Sequence, residues 1–266
     1  MIIGLMARSL LIVPLLLVAA PAAAQDDDLC VDRPGLGTPA CTLPRGQVMV
    51  EAGLAEWDHL ADPGTVEDDL AFGALLVRVG LDDRTEIEAG FGGYSATRSR
   101  DRVTGSIDRS HGLGDVSLSL RHNFSGPGGP VAIHAYVTLP TGDNGIGAGD
   151  WGAGVLVPIN LQLPSGFELD FTPELDAAVN SSGSGRHLAF GGVVGIGHGL
   201  GKRLTLEGEL GVWRDDDPAG HATDARAALS LAWQAGRDWQ IDLEGDAGLS
   251  AAAPRHALKV GLARRF

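Results

Sequence analysis

From about residue 47 to the carboxy-terminus, apolar and polar side chains alternate in stretches of about ten residues, the period-two signature of strands with two unlike faces. In 84–94, Thr85, Ile87, Ala89 and Phe91 share one face, and Glu86 and Glu88 share the other. In 115–124, Val116, Leu118, Leu120 and Phe124 oppose Asp115, Ser117, Ser119 and Arg121. The stretches 167–179, 203–213 and 239–249 repeat the arrangement, with Glu168, Asp170, Glu174, Asp176, Glu207, Glu209, Asp242, Glu244 and Asp246 on their polar faces. Less regular stretches at 47–57, 70–80, 131–140, 151–163, 187–198, 224–234 and 255–266 bring the expected total to twelve strands. Helical period fits none of them.

The connections add a second pattern. Five are short (81–83, 125–129, 164–166, 199–202 and 235–238) and rich in Gly, Pro, Asp and Ser, as hairpin turns require. Between them fall longer ones: 58–69, 95–113, 141–150, 180–186, 214–223 and 249–254. Short periplasmic turns alternating with longer external loops are the habit of outer-membrane barrels. The expectation is an all-β, closed antiparallel transmembrane β-barrel of about twelve strands over residues 47–266. A soluble sandwich or lipocalin-like barrel would carry the same alternation with its apolar face inward. Loop-length alternation and the final strand favour the membrane. That strand runs Leu258, Val260, Leu262 and ends on Phe266, although Arg264 interrupts it. It resembles the signal read by the barrel-assembly machinery, so that machinery and outer-membrane lipids are the expected partners.

Arg8, the apolar run Leu10 to Ala20, and Ala22-Ala23-Ala24 before Gln25 predict a secretory signal over 1–24, cleaved near Ala24. Its apolar core is too short to span a membrane. Residues 25–46 are then a periplasmic amino-terminal segment, and export makes a Cys30–Cys41 disulfide plausible. No later stretch reaches 18 consecutive apolar residues, so a membrane-spanning chain of this kind must be a closed barrel. Without Arg8, 19 basic residues face 34 acidic ones, the wrong sign for a nucleic-acid partner.

With apolar faces toward lipid, thirteen strand acids point inward: those named above on the polar faces, with Glu51, Glu86, Glu88 and Asp115. The inward bases are Arg78, Arg121, Arg226, Lys259 and Arg265. All the acids but Asp115 fall on odd-numbered strands and all five bases on even-numbered ones, which sets up charge pairs across hairpins. The turn lengths place Arg78 opposite Glu86 and Arg226 opposite Asp246, and His134 near Arg121. Such a ladder holds a polar interior together; its surplus of carboxylates equally suits a lumen that prefers cations. Twelve strands leave space for a narrow channel. Glycines 191, 195 and 197 share the inward face of strand eight and leave room for a solute or an inward-folded loop.

The run Cys30-Val31-Asp32-Arg33-Pro34-Gly35, then Cys41-Thr42-Leu43-Pro44-Arg45-Gly46, stands ahead of the first strand. Further on come Val79-Gly80-Leu81-Asp82-Asp83-Arg84-Thr85-Glu86, Gly112-Leu113-Gly114-Asp115 and Leu139-Pro140-Thr141-Gly142. In order and spacing they resemble the MetA-pathway of phenol degradation family. The resemblance implies an outer-membrane barrel that passes small, aromatic or hydrophobic molecules, and carries over no binding residues.

Enzyme signatures are missing from the sequence: no G-x-S-x-G, H-E-x-x-H or phosphate loop occurs. Ser110-His111 lies in the longest connection without an acid partner, and His122 and His134 are expected on opposite faces. An outer-membrane hydrolase would need a nucleophile and base converging on the wall. No cofactor or metal is expected. Asp215-Asp216-Asp217 reads as a solvated acidic loop, since calcium needs six to eight oxygens. The reading is a passive channel, not an enzyme, with 95–113 and 141–150 controlling admission. The alternative is a structural or partner-binding barrel with a plugged lumen.

Overall fold

Alternation of side-chain character closes the chain into a ring of antiparallel strands in the computed structural model, which describes residues 29–266. The signal-peptide reading for 1–24 and the acidic run Asp26–Asp28 lie outside the described residues. Sixteen extended segments build twelve barrel strands. The first is β1 (Val48–Ala61). The second joins β2 (Thr65–Phe72) to β3 (Ala74–Gly80), the third β4 (Thr85–Phe91) to β5 (Tyr94–Asp101), and the fourth β6 (Ile107–Leu113) to β7 (Val116–Asn123). After β8 (Ala132–Leu139), the sixth joins β9 (Gly152–Leu156) to β10 (Ile159–Gln162). The rest are unbroken: β11 (Phe167–Val179), β12 (Arg186–Gly199), β13 (Leu204–Asp217), β14 (Gly220–Gln234), β15 (Trp239–Gly248) and β16 (His256–Arg265). Pairing of β1 with β16, Glu51 opposite Ala263 and Glu56 opposite Lys259, closes the ring.

The wall is apolar outside and polar inside. Leu243 is 54% exposed and its neighbour Asp242 only 1%. A soluble protein would reverse this; in hydrocarbon it is the low-energy choice. The buried apolar cluster is correspondingly small: Leu43, Met49 and Ala263, packed by Leu29, Cys30 and Val31.

Three expected loops are strand instead. Residues 58–69, 95–113 and 214–223 form long hairpins whose turns are only 62–64, 102–106 and 218–219. Beyond the hydrocarbon band both faces meet water, so the alternation that betrays a strand is absent from segments such as Glu67-Asp68-Asp69. A substantial connection, 140–151, does remain at that end. The interruptions in the second, third and fourth strands, with an irregularity in β1 between Gly53 and Ala55, are in register. Gly73 donates to the Gly53 carbonyl (2.9 Å), and Gly114 to that of Gly93 (2.8 Å). Gly93 holds a φ of +76° in this line, a backbone open to glycine at little cost. Pro158 interrupts the sixth strand.

Both expected registers slip by two residues. Arg78 lies opposite Glu88, and Asp246 opposite Ala228. In the first hairpin the Asp82 carboxylate accepts the amides of Arg84 (2.7 Å) and Thr85 (2.8 Å), which holds a wider turn. In the other, the Ala235 amide bonds the Trp239 carbonyl at 2.9 Å. A slip of two preserves parity, so every side chain keeps its face.

Candidate functional site

The sequence reading sets residues 25–46 ahead of the barrel as a periplasmic segment. In the structure residues 30–43 fold against the inward side chains, toward the end with the short turns. Thr42 donates to the Pro127 carbonyl (2.9 Å) and Gly46 to that of Gly80 (2.8 Å), both beside short turns. The Cys30–Cys41 disulfide is present, with the two Cα atoms 5.9 Å apart.

The acidic wall meets this segment residue by residue. Glu51 accepts the amide of Asp32 at 3.0 Å, and Glu86 that of Leu43 at 2.7 Å. Glu209 accepts those of Leu36 and Gly37, both at 2.8 Å, and Glu244 that of Gly35 at 2.7 Å. Asn160 accepts the Ala40 amide at 2.5 Å, and Gln240 donates to the Arg33 carbonyl at 2.6 Å. Backbone N–H groups therefore satisfy Glu209 where no base reaches it, and add to the bases at Glu51, Glu86 and Glu244. A charged acceptor of this kind makes a stronger hydrogen bond than a neutral one.

Two fully buried guanidiniums anchor the segment. Arg78 reaches Glu86 (2.7 Å), Glu51 (3.0 Å) and Asp32 (3.0 Å), and donates to the Cys30 carbonyl (2.8 Å). Arg121 grips Asp32 with both terminal nitrogens and reaches Glu88 at 3.0 Å. Burial alone would push the Asp32 carboxyl up; Arg121 and Arg78 hold it well below the usual carboxylate range. His134 lies opposite Arg121 and 3.4 Å from Glu88. His122 faces away and bonds Thr85 at 3.0 Å.

A second charged cluster joins β14, β15 and β16. Lys259 binds Glu244 (2.7 Å) and Asp246 (3.0 Å). Arg226 and Asp246 share the inner face, 3.9 Å apart, while Arg226 chiefly engages Asp224. Arg33 reaches Asp242 at 3.3 Å.

The charge ladder stops at β11–β13, because the strand between, β12, brings no inward Arg or Lys; its His187 lies against Asp215 and Asp217 at the strand's end. Glu168 bonds Asn160 (3.0 Å) and Gln162 (2.6 Å), and Asp170 bonds Asn160. Glu174 takes the Trp213 indole (3.0 Å) and Asp176 the Tyr136 hydroxyl (2.8 Å). Glu207 and Glu209 lean over the glycines of β12: a Cβ on Gly195 would meet the Glu207 carboxylate at 2.8 Å and the Glu209 side chain at 3.1 Å. These acids occupy the room left at Gly195, while Trp213 and the Val212 carbonyl occupy that at Gly191; the carboxylates leave a polar sector of negative sign.

Asp115 is not a wall acid of the lumen. It caps the 140–151 connection, accepting the amides of Gly142 and Ala148, each at 2.7 Å. The same connection covers the edge of β6, which has no strand partner beyond β5 among the described residues; Asp143 and Leu113 bond each other there at 2.8 and 2.9 Å. Arg186 locks its far end onto Asp150 (2.7 Å). Bonds from the Gly185 and Trp151 amides hold the Asp150 carboxyl below its ordinary range. Asp215–Asp217 end β13 rather than forming a loop. Asp215 and Asp217 bring carboxylates near His187, but the Asp217 oxygens already accept from Ser181 and Ala219. Ser110 and His111 alternate along β6, so they face opposite sides of the sheet.

What sequence reasoning missed is the partner of the wall. Asp32 and Arg33 complement Arg121 and Asp242, and their charges were visible, but only the fold brings them within reach.

Among solved structures, the chain resembles an outer membrane channel from Pseudomonas putida F1 at 14% identity, covering 88% of this chain and 99% of that one, with a TM-score of 0.66. The translocator domain of the autotransporter NalP from Neisseria meningitidis matches at 14% identity over 84% and 90%, TM-score 0.53. The beta domain of the Bordetella autotransporter Brka matches at 12% over 84% and 100%, TM-score 0.55. At these identities the likeness establishes the outer-membrane barrel fold. No curated protein matches the chain. The family model described as "Putative MetA-pathway of phenol degradation" matches residues 31–266, and the chain belongs to that family.

Proposed function

We propose that the protein is a passive outer-membrane channel for small molecules, aromatic or hydrophobic ones among them. The observation that carries the reading is a closed, polar-walled barrel in a chain of a family named for phenol degradation. Membership of that family favours a channel over a purely structural barrel. The segment 30–43 narrows the path at the short-turn end, so permeation runs past it. The unmatched carboxylates of β11 and β13 give the path a preference for cations over anions.

In this reading residues 1–24 direct export and are removed near Ala24, and the strand ending at Phe266 is presented to the assembly machinery. Glu86, Glu88, Arg121, His134, Asp242 and Glu244 hold the segment and its surroundings in place. Glu209 likewise holds the segment through Leu36 and Gly37, while Glu168, Asp170 and Glu207 face the path. The chain carries out no chemical step on the solute.

Planar-bilayer recordings and solute flux into proteoliposomes test this. Stepwise conductance with a cation-selective reversal potential is expected, together with flux of a small phenol. If neither the mature protein nor a variant lacking residues 25–43 conducts or passes solute, the channel reading is wrong.

A further inference from the structure

Beyond the line of strand breaks, the outer faces of β1, β2, β5 and β6 form a groove of about 610 Å³. Register determines what it contains. Trp57, Leu70, Ala96 and His111 lie opposite one another on successive strands. Trp57 also lies opposite Leu258, which is 53% exposed on the lipid side, so this row faces outward. Tyr94, beside it, is 42% exposed. The next row toward the rim is Asp68, Arg98 and Arg109.

Arg98 and Arg109 are directly opposite each other, and Arg100 follows Arg98 on the same face. Like charges directly across a strand pair are destabilising. The one nearby acid offsets them only in part: Asp68, opposite Arg98, also serves the Trp57 indole (3.2 Å) and the His59 ring (2.8 Å). In a chain of net charge −14, three guanidiniums therefore stand together on the membrane side of the wall, just above an aromatic band. Aromatic girdles mark the membrane interface in such barrels. The groove thus offers an apolar floor below and a doubled cation above, the complement of an amphiphile with an anionic head. Guanidiniums favour phosphate in particular, through paired N–H donors.

We propose that this groove binds one lipid of the outer leaflet with a phosphorylated headgroup. Its phosphate sits between Arg98 and Arg109, and an acyl chain lies along Leu70 and Tyr94. The lipid relieves the like-charge pair and covers the apolar floor. The site lies on the outside of the wall, so it stands whether or not the lumen conducts.

Native mass spectrometry of the full mature chain in detergent tests the proposal, with bisphosphorylated lipid A, the same lipid dephosphorylated, and inorganic phosphate as separate probes. One retained bisphosphorylated lipid per chain is expected. Occupancy should fall at least tenfold in R98Q/R109Q, and equally when the phosphates are removed from the lipid. The single variant R98Q, expected to lose part of that occupancy, serves if the double variant does not assemble. Heat-modifiable gel mobility reports assembly. Unchanged occupancy in the variants or with dephosphorylated lipid would overturn the proposal, as would binding of inorganic phosphate as tight as that of the lipid.

Discussion

Asp32 and Arg121 form a two-pronged ion pair, Oδ1 to Nη1 at 2.8 Å and Oδ2 to Nη2 at 2.5 Å, 89 residues apart in sequence. It ties a segment with no regular secondary structure to the inner wall of the barrel. Arg121 is fully buried, so it needs Asp32, and Asp32 is held in place by the disulfide-closed turn around it.

Replacing Asp32 tests that dependence. D32A leaves Arg121 and Arg78 short of a carboxylate, and breaking a buried pair on one side costs about 3 kcal/mol. The expected outcome is a lower unfolding midpoint in denaturant and larger, noisier conductance. A variant with wild-type stability and conductance would show that the pair restrains nothing.

The disulfide restrains the same segment from within. Closing a loop of this size limits the unfolded chain and stabilises by about 3 kcal/mol. The double variant C30S/C41S is expected to keep its barrel but to admit solutes faster. Liposome swelling rates, with and without reductant on the parent protein, measure this. Reductant should not alter the variant.

Unmatched carboxylates on β11 and β13 should bias the ion current. D170N/E207Q removes two of them without adding bulk. Its reversal potential in a salt gradient should move toward the unselective value, with single-channel conductance little changed. An unaltered reversal potential would place selectivity elsewhere.

The orientation of the wall is testable with one outward residue. Leu243 projects from β15 on the exposed side. L243R should cost about 2–4 kcal/mol in folding into lipid bilayers, as a charge on the lipid face does near the midplane. If L243R folds as stably as the parent, the apolar face does not meet hydrocarbon.

Much of this architecture is readable from local order. Glu86, Ile87 and Glu88 announce a strand with unlike faces, and the same alternation from Phe167 to Val179 or Trp239 to Gly248 needs nothing distant to interpret it. The side of the wall taken by Arg226 and Asp246 was likewise readable, since a slip of two residues leaves parity intact. Local patterning failed where its cause disappears: Glu67 to Asp69 and Asp215 to Asp217 continue strands into water, where neither face has a reason to be apolar.

Sequence alone thus determined the strand faces and the closed barrel, and pointed to the pairing of the two cysteines that the structure shows, because period-two patterning and proximity along the chain are local properties. Tertiary structure decided that Asp32, Arg33 and the amides of 35–43 satisfy the inner wall, and that Arg98 meets Arg109 on its outside. Those contacts join residues far apart in the chain or set by hairpin register. A charge reveals its need for a partner, while its partner's identity is a matter of which strands the closure brings together.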